Sequence, residues 1–335
     1  MKKMSRYVLS YVDAHVAGEP LRLITSAPLL HGSTLVEKRE YMKRNYDFIR
    51  SAAMQEPRGH ADMYGAVLTE PCHPGAHLGI IFIDTALYNN MCGHGSIAIA
   101  TIAVELGLVK AVEPVTKVVL ETGAGLVTVH VDVKNGKTGG AKLEGVPSFL
   151  YKSGVPLEVY GKNIKVDIVY GGNFFAMVDS TQLGLAHRKE NIPEFIRYGK
   201  AIRESANLAV EIKHPERPYI NTIDDVLFVD GPQFEGDTYK SLVFLGEAMI
   251  DRSPCGTGTC ARMSALYARK QLKMGEPFYH ESIIGTVFEG MVAGETKVGP
   301  YDAILPTVKG RAFITGMGNL FLDEEDPLMA GFSIR

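Results

Sequence analysis

Two cysteines of this chain stand in the same local setting. One run reads Met91-Cys92-Gly93-His94-Gly95 and the other Pro254-Cys255-Gly256-Thr257-Gly258. Each contains Cys-Gly-X-Gly, and each opens onto an apolar stretch of helical character. A thiol at a helix N-terminus feels the positive end of the helix and ionises more readily than a free one. Glycines beside it leave backbone N–H groups bare, which is how helix starts hold anions. The chemistry favoured is proton transfer by a thiol next to a bound anion. Positions 92 and 255 lie in opposite halves of a 335-residue chain, so the pattern predicts two thiols facing one substrate.

The elements that must position them are short. Leu21–Ser26, Ala66–Leu68 and Leu78–Ile83 read as strands bounded by Gly and Pro. Residues 35–51 are charged and periodic, which predicts one helix. His94–Leu106 is apolar almost all round, the mark of a helix buried within its domain, and Gly107 stops it. Val118–Val133 alternates up to the turn Lys134-Asn135-Gly136-Lys137, a hairpin signal. Lys165–Val169, Phe174–Val178, Asp225–Val229 and Ser241–Leu245 are further strands, and Pro193–Val210 is helical. Gly256–Leu272 is the second buried-type helix, followed by strand-like stretches through Ile314. The sum is an α+β chain of two similar units, each a strongly bent sheet on a central helix. No low-complexity linker divides them, and the repeat places the boundary near residues 120–130.

Composition narrows the function classes. A chain of this length predicts two domains. The net charge of −3 at pH 7 gives no reason to expect nucleic acid or anionic membrane as a partner. No apolar run approaches the roughly 20 residues of a membrane span. The start Met1-Lys2-Lys3-Met4 mimics a signal peptide, but Asp13, His15 and Glu19 follow too soon, so the mature protein is expected to begin here. Cys72, Cys92, Cys255 and Cys260 form neither a zinc framework nor a disulfide scaffold. Reduced thiols in a cytoplasmic protein are the expectation. No phosphate-binding glycine loop or metal-ligand motif is present, so neither a cofactor nor a metal is expected.

Longer runs carry a resemblance. They are Asp13-Ala14-His15-Val16-Ala17-Gly18-Glu19-Pro20, Glu56-Pro57-Arg58-Gly59-His60, the Met91–Gly95 run, Gly171-Gly172-Asn173-Phe174, and Asp251-Arg252-Ser253-Pro254-Cys255-Gly256-Thr257-Gly258-Thr259. The chain resembles, almost end to end, the proline racemase family, which includes hydroxyproline 2-epimerases and trans-3-hydroxyproline dehydratases. The resemblance implies the diaminopimelate-epimerase-like fold: two pseudo-symmetric domains, each a bent β-barrel-like sheet around a central helix. It implies a C-terminal segment that returns to the first domain. The expected domains are 1–125 with 310–335, carrying Cys92, and 126–309, carrying Cys255. A homodimer is also implied.

Racemising an amino acid removes the α-proton on one face and returns one on the other. Two acid/base groups on opposite faces do this without rearrangement. Cys92 and Cys255 are the expected pair, although cysteine is also a common small buried residue. The N–H groups of Gly93, His94, Gly256 and Thr257 are expected to hold the substrate carboxylate and offset developing charge. That cradle would be the electron sink, so no pyridoxal phosphate is implied. By resemblance, Asp251 accepts hydrogen bonds from the substrate's ring ammonium, with His94 nearby. His15, Glu19, Arg58 and His60 are expected to form a network supporting the first cysteine loop. Cys260 is expected to pack quietly, and Cys72 to be a loop thiol.

The resemblance leaves the substrate open. Proline racemases tend to carry phenylalanine where this chain has Tyr64 and Leu245. A phenol and a smaller wall both lean toward a hydroxylated proline. The expected activity is racemisation or 2-epimerisation of proline or 4-hydroxyproline. The alternative is dehydration of trans-3-hydroxy-L-proline, favoured by the segment Arg58–Gly65. Dehydratases usually carry threonine in place of the second cysteine, so Cys255 argues for the isomerase.

Overall fold

The computed structural model describes residues 6–231 and 238–334. They form two compact units. The first comprises the described residues up to Asn90, Gly95–Ala141 and the residues from Arg311 onward. The second comprises Met91–His94 and Lys142–Gly310.

The first unit runs through β1 (Arg6–Val16), β2 (Glu19–Ile24), α1 (Leu35–Asn45), α2 (Asp47–Met54), β3 (Tyr64–Thr69), β4 (Leu78–Asp84), β5 (Tyr88–Asn89), most of α3 (Gly93–Glu105), β6 (Val115–Thr122) and β7 (Gly125–Lys134). β1 lies antiparallel to β2, and β2 parallel to β3. β3 and β5 both run antiparallel to β4, and β6 runs parallel to it. β6 and β7 form an antiparallel hairpin. In β7 the side chains of Val127, Val129, Val131 and Val133 turn inward and are buried, the period-two pattern of a half-buried strand. Each such burial contributes roughly 1.5–3 kcal/mol. Ile97–Ala103 of α3 is buried throughout, so this helix is interior. Gly107 ends the segment at φ +72°, a left-handed conformation that costs glycine nothing.

β8 (Lys137–Glu144) carries the chain into the second unit. There follow β9 (Phe149–Val159), β10 (Lys162–Tyr170), β11 (Phe174–Asp179), α4 (Ile192–Ala209), β12 (Ile223–Asp230), β13 (Tyr239–Leu245), β14 (Met249–Ile250), α5 (Gly256–Ala268), β15 (Pro277–Glu281), β16 (Val287–Val298) and β17 (Tyr301–Gly310). The pairings repeat those of the first unit in order. β10 and β11 are antiparallel, β11 and β12 parallel, β12 and β13 antiparallel, β13 and β14 antiparallel, β13 and β15 parallel, and β15 and β16 antiparallel. Gly256–Ala265 of α5 is buried on every side, and the helix packs against β9, β10, β11, β16 and β17. The last strand, β18 (Ala312–Asp323), pairs antiparallel with β1, so the chain end belongs to the first unit. Each unit is a bent sheet around one interior helix, the α+β fold of the diaminopimelate-epimerase type. Among the described residues no helix is long and apolar enough to cross a membrane.

Four details differ from the sequence reading. The single helix expected over 35–51 is two, because Tyr46 leaves the helical region at φ −139° and ψ 24°. Asp47 then opens α2, and its carboxylate takes Arg50 Nε at 2.8 Å and the Tyr88 hydroxyl at 2.8 Å. The helix expected over 256–272 stops at Ala268, with Lys270 at φ +59° just beyond. A boundary at 125/126 would cut the first residue from β7, which zips against β6 from Thr122/Gly125 to Val115/Asp132. The hairpin therefore stays whole, and the first unit continues to Ala141. Met91–His94 groups with the second unit rather than the first.

Candidate active site

The first cysteine run leaves β5 and enters α3. Its approach is fixed within the first unit by Asn90, whose side-chain oxygen accepts from Arg39 at 2.8 Å. The Asn90 carbonyl accepts from Ala124 N–H at 3.0 Å, and Gly123 leaves room for the Asn90 backbone. Cys92 is buried, and its sulfur lies 3.2 Å from His94 Nδ1. That contact pairs the thiol with an imidazole at a helix start.

The second run leaves β14 through a tight polar turn. Asp251 accepts from Ser253 N–H at 2.7 Å, and the Ser253 hydroxyl accepts from Cys255 N–H at 3.0 Å. Cys255 is the N-cap of α5 at φ +65° and ψ 113°, a sparsely populated conformation for a residue with a Cβ. Its carbonyl accepts from Thr259 N–H at 2.8 Å and from the Thr259 hydroxyl at 2.6 Å. Its sulfur accepts from Gly258 N–H at 3.3 Å and lies 3.4 Å from Thr257 Oγ1.

The electrostatics of Cys255 correct the expectation of an easily ionised thiol. Burial pushes it well above the usual 9.0, and the Asp251 carboxylate pushes further, with Asp225 adding in the same direction. The Thr257 hydroxyl and Gly258 N–H pull the other way but are outweighed. The helix start alone does not decide, because a thiolate in this dry acidic setting loses more hydration than the dipole returns.

The two cysteine runs meet at their glycines. A Cβ added to Gly93 would fall 2.5 Å from Gly256 Cα, and one added to Gly256 would fall 2.6 Å from Gly93 Cα. Only hydrogen fits at either position. Gly171-Gly172-Asn173, between β10 and β11, braces both runs. A Cβ on Gly171 would fall 2.2 Å from the Thr257 carbonyl oxygen, and one on Gly172 would fall 3.0 Å from Met91 Cβ. Asn173 Nδ2 donates to the Met91 carbonyl at 3.0 Å, and its Oδ1 is buried without a protein partner. The sequence alone assigns this run no task. Its signal was present, since adjacent glycines beside a buried amide mark a close backbone approach.

Within the second unit the structure thus gathers Cys92, Gly93, His94, Asp251, Cys255, Gly256 and Thr257. Leu245 ends β13, buried and paired with Met249 on β14. Tyr64 begins β3 of the first unit, buried and opposite Asp84. Arg58 does not serve the first cysteine loop. It binds Asp326 at 2.8 Å and the carbonyls of Phe321 and Met329, so it ties down the chain end. His15 Nδ1 accepts from Gly18 N–H at 3.3 Å within its own turn. None of the four cysteines is in a disulfide. Cys260 is fully buried beside Gly145 and Pro306, and burial pushes its thiol up to about 12.

The sequence profile described as proline racemase matches residues 11–333. The chain belongs to the proline racemase family. Membership makes it an enzyme of the amino-acid racemase and epimerase class. It is 44% identical to the proline racemase of Clostridioides difficile over 335 residues, covering 99% of this chain and 100% of that one. It is 40% identical over 336 residues to the trans-3-hydroxy-L-proline dehydratase of Burkholderia cenocepacia strain HI2424, covering 99% and 100%. The crystal structure of a hydroxyproline epimerase from Agrobacterium vitis, with bound trans-4-hydroxy-L-proline, superposes with a TM-score of 0.94 at 29% identity, covering 99% of this chain and 96% of that one. Proline racemase relatives thus include both isomerases and a lyase over the full chain length.

Proposed function

We propose that this proline racemase relative inverts Cα of proline or 4-hydroxyproline without a cofactor, using Cys92 and Cys255 as the two proton carriers. The observation that supports the reading is the close approach of the two cysteine runs at Gly93 and Gly256. One sulfur, as thiolate, takes the α-proton. The other, as thiol, gives its proton to the opposite face of the planar carbanion. The sulfurs have then exchanged states, and no atom or electron is gained or lost.

The surroundings of the two sulfurs differ: Cys92 has the His94 imidazole beside it, whereas burial and the Asp251 and Asp225 carboxylates hold Cys255 as a thiol. Asp251 is the acceptor for the substrate ammonium. Binding that cation offsets the carboxylate that raises Cys255, so ionisation of Cys255 becomes easier once substrate is present. The carboxylate of the substrate goes to the helix starts. Gly258 and Thr259 N–H groups are engaged by Cys255, so those of Gly256 and Thr257 serve the ligand from α5. Tyr64 and Leu245, at the family's wall positions, favour a hydroxylated ring.

The dehydratase reading rests on the Burkholderia cenocepacia relative. Elimination of a 3-hydroxyl needs one base only, and Cys255 would then be surplus. Proton NMR in deuterium oxide, with chiral separation of the products, tests both on L-proline, trans-4-hydroxy-L-proline and trans-3-hydroxy-L-proline as separate substrates. Inversion at Cα with the ring intact supports the isomerase and names its substrate. A ketimine from the 3-hydroxy compound replaces it with the lyase.

A further inference from the structure

A buried hydrogen-bond line runs to Cys255 from the far side of α5. Arg262 donates through Nη1 to the Lys240 carbonyl at 2.6 Å and through Nη2 to the Asp230 carbonyl at 2.6 Å. Its Nη1 also lies 3.1 Å from His280 Nε2. A guanidinium can only donate, so Nε2 is the acceptor and neutral His280 carries its proton on Nδ1. Nδ1 lies 2.8 Å from Thr259 Oγ1, which therefore accepts. The Thr259 hydroxyl proton is left for the Cys255 carbonyl at 2.6 Å. Every proton in the line has one direction. Thr259 and His280 are wholly buried and Arg262 nearly so.

The neutrality of His280 has a physical cause. Burial pushes its imidazole well below 6.5, and the neighbouring Arg262 pushes further. Burial brings Arg262 down to about 9, so it remains a cation at neutral pH. The line therefore ends on a carbonyl polarised toward a charge. That carbonyl belongs to a residue held at φ +65°, a backbone conformation that a residue with a Cβ adopts only under constraint.

We propose that Thr259 and His280 are positioning residues, which link Arg262 to the Cys255 carbonyl and keep the Cys255 sulfur aimed for proton transfer. The inference rests on the two-thiol reading for its catalytic consequence, but the positioning itself is read on the sulfur directly. A misplacement of about 1 Å costs on the order of 10²-fold in rate.

The test compares Thr259→Val, Thr259→Ser and wild type by two readouts. The first is steady-state inversion: kcat falls at least tenfold in Thr259→Val with KM within twofold, and Thr259→Ser restores it. The second is iodoacetamide alkylation of Cys255 relative to Cys92 in the same molecule, followed by peptide mass spectrometry. Release of the turn frees the buried sulfur, so this ratio rises at least fivefold in Thr259→Val and returns in Thr259→Ser. Thr259→Ala replaces Val if a methyl against His280 prevents folding, with the same expectations. An unchanged ratio in a folded variant lacking the hydroxyl overturns the proposal, whatever its activity. A changed ratio that Ser fails to restore overturns it too. A protein that inverts none of the substrates but shows the ratio change and its rescue removes the two-thiol reading and leaves the positioning intact.

Discussion

At the scale of single residues the two sulfurs are not equivalent. Cys92 has an imidazole at 3.2 Å, whereas Cys255 has carboxylates around it and only weak donors on its sulfur. A two-base reaction needs both, so Cys92→Ser and Cys255→Ser should each lower inversion on the order of 10²–10⁴-fold, measured by polarimetry. Near-wild-type activity in either variant would contradict the assignment. The pH dependence follows from the sign of the Cys255 shift. The thiol is held protonated, so the active pair of one thiolate and one thiol survives until Cys255 ionises, well above 9.0. The alkaline fall of kcat/KM therefore lies beyond pH 9 and is common to both directions, as equilibrium requires. Asp251→Asn removes a group that raises Cys255. It should bring the alkaline fall to lower pH and raise KM through loss of the ammonium acceptor. A profile that Asp251→Asn leaves in place would count against the electrostatic account.

At the scale of elements the decisive contact is backbone on backbone. Gly93→Ala or Gly256→Ala inserts a methyl where only 2.5–2.6 Å is available. Overpacking of this kind costs about 1–3 kcal/mol. A lower melting temperature and near-complete loss of inversion are the expected results, and an alanine variant with normal turnover would show that the helix starts need not touch. The helices themselves were legible. Ile97–Ala103 is apolar or small throughout, as is most of Gly256–Ala265 apart from Arg262, and both stretches are buried. β1 was not legible, since its buried positions are Leu9, Val12, Ala14 and Val16, and the inward phase changes between Leu9 and Val12. β9 was hidden for a related reason: Lys152, Ser153 and Gly154 are exposed, and Gly154 sits at φ +65° beside a register shift. The elevation of Cys255 was equally invisible, because Asp225 comes to it from a strand 30 positions away in the chain, a relation no local motif carries.

At the scale of the whole molecule the histidines link folding to pH. His187 and His214 are pushed down to about 4 from 6.5, in both cases chiefly by burial. The unfolded chain takes up these protons more readily than the folded one. Stability is therefore full above pH 6.5 and is lost as pH falls through the folded values near 4. Melting temperatures should decline steadily over that interval, and a flat record would contradict buried neutral imidazoles.

The most direct measurement of the central claim is early-time proton NMR in deuterium oxide, with product and unreacted substrate separated by configuration. Two sulfurs on opposite faces predict deuterium at Cα of the inverted product and almost none in the recovered substrate, because the proton removed and the deuteron delivered never share a carrier. Deuterium entering the recovered substrate with its configuration kept, at a rate matching or exceeding inversion, would show a single exchanging base and contradict the account.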